Sequence, residues 1–71
     1  MERIAVRSRD IAVIGYDESK ASLEVAFRAG GVYHYEQVPP DVYRAFLKAE
    51  SHGCFFRENI RERYAFKKVS G

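Results

Sequence analysis

The chain has 71 residues, which is enough for one small domain and leaves no room for a second hydrophobic core. Five phenylalanines and five tyrosines supply the large side chains that so small a core needs. The formal net charge of +2 is compatible with a nucleic-acid partner without requiring one. A single cysteine excludes an internal disulfide, and no leader or long apolar run is visible, so we expect a cytoplasmic protein with no membrane span.

The amino-terminal half has the pattern of strands and turns. Residues 1–10 are mostly polar, and we interpret them as a lead-in with room for a short strand. The apolar, β-branched segment 11–16 predicts a strand, and the polar residues 17–20 predict a turn after it. Gly15 inside that strand suggests a bulge or the close approach of another backbone. In 23–28 apolar residues alternate with charged or small ones, as in a strand with one buried face.

A third strand is predicted at 32–36, and its register depends on the loop before it. A two-residue loop would place Phe27 opposite His34, whereas a three-residue loop over 29–31 would place Phe27 opposite Tyr33. We favour the longer loop because it collects the large apolar side chains on one face. That predicted face consists of Leu23, Val25, Phe27, Tyr33 and Tyr35, with Glu24, Arg28, His34 and Glu36 on the other side.

The chain changes from alternating to helical spacing at two prolines. Pro39 and Pro40 cannot donate to a sheet ladder, but their fixed φ suits the first turn of a helix. Apolar residues in 42–47 then recur at helical spacing, which predicts an amphipathic helix over the sheet. We expect this helix to end at 51–53, with Gly53 as a left-handed cap.

A second helical pattern follows at 54–64. Its apolar stripe consists of Phe56, Ile60 and Tyr64, and Arg57 and Arg61 share another face. The tail, 65–71, alternates weakly and is compatible with either a last edge strand or extended chain. The sequence therefore predicts an α+β fold: a three-stranded antiparallel β-meander, then two helices packed on one face (β-β-β-α-α), with a short C-terminal strand as an option.

Three groups of spaced residues together carry a family resemblance. They are Ser8, Ile11 and Ile14-Gly15-Tyr16-Asp17; then Leu23, Val25, Phe27, Gly30, Tyr33, Tyr35 and Val38-Pro39; and then Ala49, Ser51, Gly53, Phe55-Phe56, Ile60-Arg61 and Tyr64. In this order they resemble the KTSC domain, a short bacterial and phage module named for the C-terminus of some lysyl-tRNA synthetases. The resemblance runs from about Val6 to Tyr64. It implies one domain over 1–71 with its core at about 6–66, and an association with nucleic acid or tRNA but no settled activity. Arg57 departs from the family pattern, which has asparagine there.

Basic residues near the carboxyl end give the most distinctive surface chemistry. The candidate nucleic-acid-binding residues are Arg57, Arg61, Arg63, Lys67 and Lys68, against Glu58 and Glu62. Arg57 and Arg61 lie one helical turn apart, so both can reach one phosphate track. The alternative is that the two glutamates form ion pairs along this face and leave it merely solvated.

Other residues have both a functional and a structural interpretation. Tyr33 and Tyr35 could stack bases, but rings at strand spacing are more often core, and we expect them in the core. His52 and Cys54 are too few for a zinc site or a nucleophile with its base, so we expect structural roles and no catalysis, metal or cofactor.

Two functions from different classes follow. The first is a non-catalytic accessory domain that binds RNA or tRNA through its C-terminal basic helix. The second is a protein-interaction module that uses a sheet edge or aromatic surface. For either we expect a monomer or a weak homodimer, since an open strand edge can pair with a second copy.

Overall fold

The computed structural model describes residues 2–70, which form one five-stranded antiparallel sheet and two helices. In chain order the elements are β1 Glu2–Ala5, β2 Ile11–Asp17, β3 Ser22–Phe27, β4 Val32–Tyr35, α1 Pro40–Lys48, α2 His52–Asn59 and β5 Phe66–Ser70. The strands lie in the order β1-β2-β3-β4-β5, so both helices fall in the connection between the neighbouring strands β4 and β5. The predicted α+β class is confirmed, with a wider sheet than the three-stranded meander we predicted.

Both helices pack on the same face of the sheet. Phe46 of α1 and Ile60, which directly follows α2, are fully buried against the strands. Tyr43 of α1 stacks on Tyr16 of β2, with ring centroids 4.6 Å apart. The buried core consists of Ile11, Ile14, Tyr16, Leu23, Val25, Tyr35, Val38, Phe46, Phe56 and Ile60. The predicted apolar sheet face is therefore confirmed as the core face.

A bulge in β2 explains how two isoleucines three residues apart both reach this core. Ile11 and Ile14 would lie on opposite faces of a regular strand, but both are fully buried. The pairing of β2 with β3 shifts by one residue between Ile11 and Val13, which makes Ala12 the extra residue of a bulge. The bulge that the sequence suggested at Gly15 is therefore found at Ala12, three residues earlier.

The predicted register of the β3–β4 hairpin is wrong by two residues. Val25 pairs with Tyr33, and the amide of Phe27 donates to the carbonyl of Gly31, so the loop is 28–30 instead of 29–31. Gly30 and Gly31 both have positive φ, +114° and +96°, and this turn needs them. A two-residue shift preserves the side-chain faces, so the predicted face was correct although the predicted partners were not.

The helix boundaries also differ from the prediction. Pro40 begins α1 as predicted, but the helix ends at Lys48, and Ala49 follows it in an extended conformation. Ser51 is the N-cap of α2, with its hydroxyl accepting from the amide of Cys54 at 3.2 Å. Gly53 therefore lies in the first turn of α2, and our assignment of it as a left-handed cap was wrong. The second helix ends at Asn59 rather than Tyr64.

Candidate nucleic-acid interface

A cleft of about 730 Å³ opens between α2 and the sheet, where residues of β2, β3, β4 and β5 and of the β3–β4 loop line it. Aromatic side chains from three strands and one helix line its wall: Phe27, Tyr33, Tyr35, Phe56 and Phe66. Arginine side chains from α2, from the turn after it and from the segment before β2 lie at its rim. The carboxylates of Asp10 and Glu62 also line it, so the cleft combines an apolar wall with three cationic and two anionic side chains.

The aromatic wall is a connected cluster of rings. Tyr33 contacts Phe27 edge to face at 5.6 Å and Phe66 at 5.8 Å between ring centroids. Tyr35 contacts Phe66 at 5.5 Å and Phe56 edge to face at 5.4 Å. Phe66 is nevertheless 55% exposed, because it lies on the edge strand β5 with no further element beside it. The cluster thus extends from the buried core to the solvent at this edge.

Two arginines place positive charge beside this wall. Arg57 lies in α2, and Arg61 follows in the next turn, where its amide donates to the carbonyl of Phe56 at 2.9 Å. The Arg57 guanidinium is 3.7 Å from the Asp10 carboxylate, and both side chains are more than half exposed. Within residues 2–70 no carboxylate lies within 4.0 Å of Arg61. This charge is therefore available to a ligand.

Tyr35 connects the aromatic wall to this charge. Burial raises the pKa of its hydroxyl, as does the neighbouring Tyr33, and the positive charge of Arg61 acts in the opposite direction. The hydroxyl thus stays protonated at neutral pH and retains its hydrogen-bonding hydrogen.

The structure separates the five basic residues that the sequence grouped together. Arg57 and Arg61 both line the cleft. Lys68 pairs in register with Tyr33, so its side chain is on the cleft side of β5. Lys67 pairs with His34 and lies on the opposite face, while the Arg63 guanidinium donates to the backbone carbonyl of Glu58.

The hypothesis that Glu58 and Glu62 neutralise this basic face has no support in the ion pairs of the part of the chain described. Neither glutamate lies within 4.0 Å of a basic side chain there. Asp10 takes that position instead, from a segment far away in sequence. Sequence spacing cannot reveal such a partner, because helical periodicity reports only neighbours on the same helix.

Sequence reasoning also missed residues of the cleft. Arg9 lines it from the segment before β2, and Phe66 lines it from the tail, for which the sequence predicts either a strand or extended chain. The alternation of 66–70 was the available signal, since it places Phe66 and Lys68 on one face and Lys67 on the other.

The opposite face of the sheet carries a row of polar side chains. Arg3, Glu24, His34 and Lys67 are aligned in register across the sheet, with Gly15 at the β2 position between Arg3 and Glu24. Glu24 is only 5% exposed, accepting a hydrogen bond from Nε of Arg3 at 2.5 Å and contacting Nε2 of His34 at 2.8 Å. The hydrogen bond from Arg3 is the main reason that the pKa of Glu24 is lowered, and burial acts in the opposite direction.

His52 and Cys54 lie at the start of α2. Nδ1 of His52 is 2.9 Å from the carbonyl oxygen of Phe46, which connects the two helices, and Cys54 is half-buried. In residues 2–70, no three histidine, cysteine, aspartate or glutamate side chains come together in a way that could hold a metal ion. Over the same residues, neither helix has the length and apolar character needed to cross a bilayer.

These features define a small α+β domain in which a five-stranded antiparallel sheet carries two helices on one face. The family model of the KTSC domain matches residues 7–64, and the chain belongs to that family. The crystal structure of a KTSC domain protein from Yersinia pestis is similar throughout, with a TM-score of 0.94, 37% identity and 96% coverage of both chains.

Two relatives with different overall lengths also match. An uncharacterised protein of Stutzerimonas stutzeri is 39% identical over 64 residues, which is 90% of each chain. A lysine–tRNA ligase of Nostoc punctiforme is 32% identical over 60 residues, which is 84% of this chain but 11% of the ligase. The chain thus corresponds to a small part of that ligase.

Proposed function

We propose that this domain is a non-catalytic module that binds RNA, with tRNA as one candidate. The observation that carries the proposal is the position of Arg57 and Arg61 beside an aromatic cleft. Guanidinium groups bind phosphate oxygens through two parallel hydrogen bonds, and aromatic rings beside them offer stacking surfaces for bases. The match to part of a lysine–tRNA ligase supports the same class of partner.

The division of basic residues refines which of them act. Arg57, Arg61 and Lys68 lie on the cleft side and form the proposed phosphate-binding set. Arg63 and Lys67 have other contacts, to the Glu58 carbonyl and to the Glu36 carboxylate at 3.5 Å, and we assign them at most a supporting role. Three phosphate contacts give a slope of roughly −2 to −3 when the logarithm of the binding constant is plotted against that of the salt concentration.

Fluorescence anisotropy with a labelled RNA hairpin and a labelled tRNA, over a range of KCl concentrations, tests this function. The double variant Arg57→Glu/Arg61→Glu should bind much more weakly, and the magnitude of its salt-dependence slope should fall by roughly 1.4–1.8. The control Lys20→Glu/Lys48→Glu makes the same charge change at exposed sites away from the cleft and should bind with nearly wild-type affinity. Equal losses in both double variants, or no binding by the wild type at low salt, would refute the proposal.

A second candidate is strand addition at a sheet edge, and the exposure of β5 favours it. All five of its residues are exposed, including Phe66 and Val69. An open strand with apolar side chains can pair with a second copy of the chain. Sedimentation equilibrium at high protein concentration should then show dimers that Val69→Pro removes, because proline lacks the donor that a ladder needs. A chain that remains monomeric at every concentration would exclude this candidate.

A further inference from the structure

Tyr16 and Tyr35 are both buried in the core, but their hydroxyls differ in hydrogen bonding. The hydroxyl of Tyr16 donates to the carbonyl of Val38 at 2.5 Å. Tyr35 is only 4% exposed, yet its hydroxyl makes no hydrogen bond with any part of residues 2–70. No unpartnered side-chain oxygen or nitrogen of these residues is sealed from solvent, so the Tyr35 hydroxyl must reach the cleft that Tyr35 lines. The Tyr35 hydroxyl is therefore a hydrogen-bonding group that the aromatic wall offers to a ligand in the cleft.

From the position of this hydroxyl we infer that the cleft binds an unpaired nucleobase of a single-stranded RNA. In the complex the base stacks on Phe66 and Tyr33, and its polar edge hydrogen-bonds to the Tyr35 hydroxyl. The adjacent phosphates contact Arg57 and Arg61. The inference rests on the proposed RNA-binding function and deepens it, because it specifies single strands, loops or ends instead of duplex.

Size and chemistry both favour such an occupant. A cleft of about 730 Å³ is within the range of roughly 300–1,000 Å³ that is usual for small-molecule sites. A base has an apolar face and a polar edge, which match an aromatic wall with tyrosine hydroxyls and arginines beside it. In a duplex both faces of a base are covered by its neighbours, so only an unpaired base can enter.

The exposure of Phe66 gives the inference a further basis. It is the most exposed of the large apolar side chains described, at 55%, although its neighbours Tyr33 and Tyr35 are half-buried and buried. Its ring contacts both tyrosines in a tilted geometry, and more than half of the residue remains accessible to a stacking partner. Stacking of a base would remove this apolar surface from water.

Anisotropy titrations with a labelled ten-nucleotide single-stranded RNA and with the duplex of the same sequence test the inference. The single strand should bind at least tenfold more tightly than the duplex. Phe66→Leu should weaken single-strand binding by about tenfold, and Tyr35→Phe by about fivefold, with duplex binding unchanged. Two controls, Val69→Ala on the same edge strand and Tyr16→Phe at the satisfied hydroxyl, should retain wild-type affinity.

The outcomes separate this inference from the proposed function. Equal affinity for duplex and single strand, together with a loss in Arg57→Glu/Arg61→Glu, would refute the base-binding cleft and leave RNA binding intact. Wild-type affinity in both Phe66→Leu and Tyr35→Phe would refute it as well. Failure of the wild type to bind either RNA would refute both proposals. Displacement of the strand by adenosine or uridine monophosphate at equal concentration would assign the cleft to free nucleotides and contradict the inference.

Discussion

Arg3 contacts Glu24 across the position of Gly15, with Nε of the guanidinium 2.5 Å from Oε2 of the carboxylate. Gly15, which has no side chain, lies in register between the two residues, so the ion pair joins β1 and β3, two strands that are not direct neighbours. The edge strand β1 is exposed along its whole length, so this ion pair supplements the backbone pairing that holds it. On the sheet face that carries no helix, the Glu24 carboxylate therefore joins side chains of different strands, Arg3 of β1 and His34 of β4.

Stability should depend on the protonation of Glu24. The pKa of this carboxyl is lowered in the folded domain, so it contributes stability above its unfolded pKa of about 4.3. That contribution is lost as the pH falls through the folded pKa. Urea denaturation at pH 7 and at several values below pH 5 should show a steeper loss for the wild type than for Glu24→Gln. Parallel losses in the two proteins would contradict this role.

Removing the central ring of the core should remove much of the stability. Phe46 is fully buried and contacts the rings of Phe55 and Phe56. Truncation of such a residue, Phe46→Ala, should cost about 3–5 kcal/mol, against a total of roughly 5–15 kcal/mol for a typical native protein. The exposed Phe66→Ala should cost under about 1.5 kcal/mol. Thermal denaturation followed by circular dichroism measures both, and similar melting temperatures would contradict this packing.

The β3–β4 turn should not tolerate a side chain at Gly31. Its φ of +96° disfavours any L residue, and an added Cβ would lie 3.2 Å from Cε1 of Tyr33. Gly31→Ala should therefore destabilise the domain by about 1–3 kcal/mol and displace the Tyr33 ring from the cleft wall. The neighbouring Ala29→Ser, at an exposed loop position, should have little effect on stability. Equal stabilities in chemical denaturation would show that the turn is not strained by the new methyl.

The sequence predicted the faces of the central strands well because side-chain alternation is strictly two-fold. It failed on the register, since a shift of two residues, which moves Phe27 from Tyr33 to Gly31, leaves every face unchanged. The start of α1 was predictable from Pro40, because the fixed φ and missing N–H of proline suit the first position of a helix. Ser51-His52-Gly53 was misassigned as a stop because a glycine that follows a helical pattern resembles a C-cap, although Ser51 caps the next helix.

The candidate site was predictable in part. Helical spacing correctly placed Arg57 and Arg61 on the same side, even though α2 ends between them. The contributions of Phe66 and Lys68 depend on β5, an exposed edge strand whose weak alternation was ambiguous. Asp10 beside Arg57 depends on tertiary contact between distant segments, which periodicity cannot report.

The most direct test of the central claim is a titration of ¹⁵N-labelled domain with a single-stranded RNA, followed by amide chemical shifts. If the aromatic cleft binds RNA, the largest changes in amide chemical shift will occur at Tyr33, Arg57 and Phe66. Amides near Arg3 on β1, which forms its ion pair on the opposite face of the sheet, will stay unchanged. Shifts confined to that opposite face, or no shifts at saturating RNA, would contradict the claim.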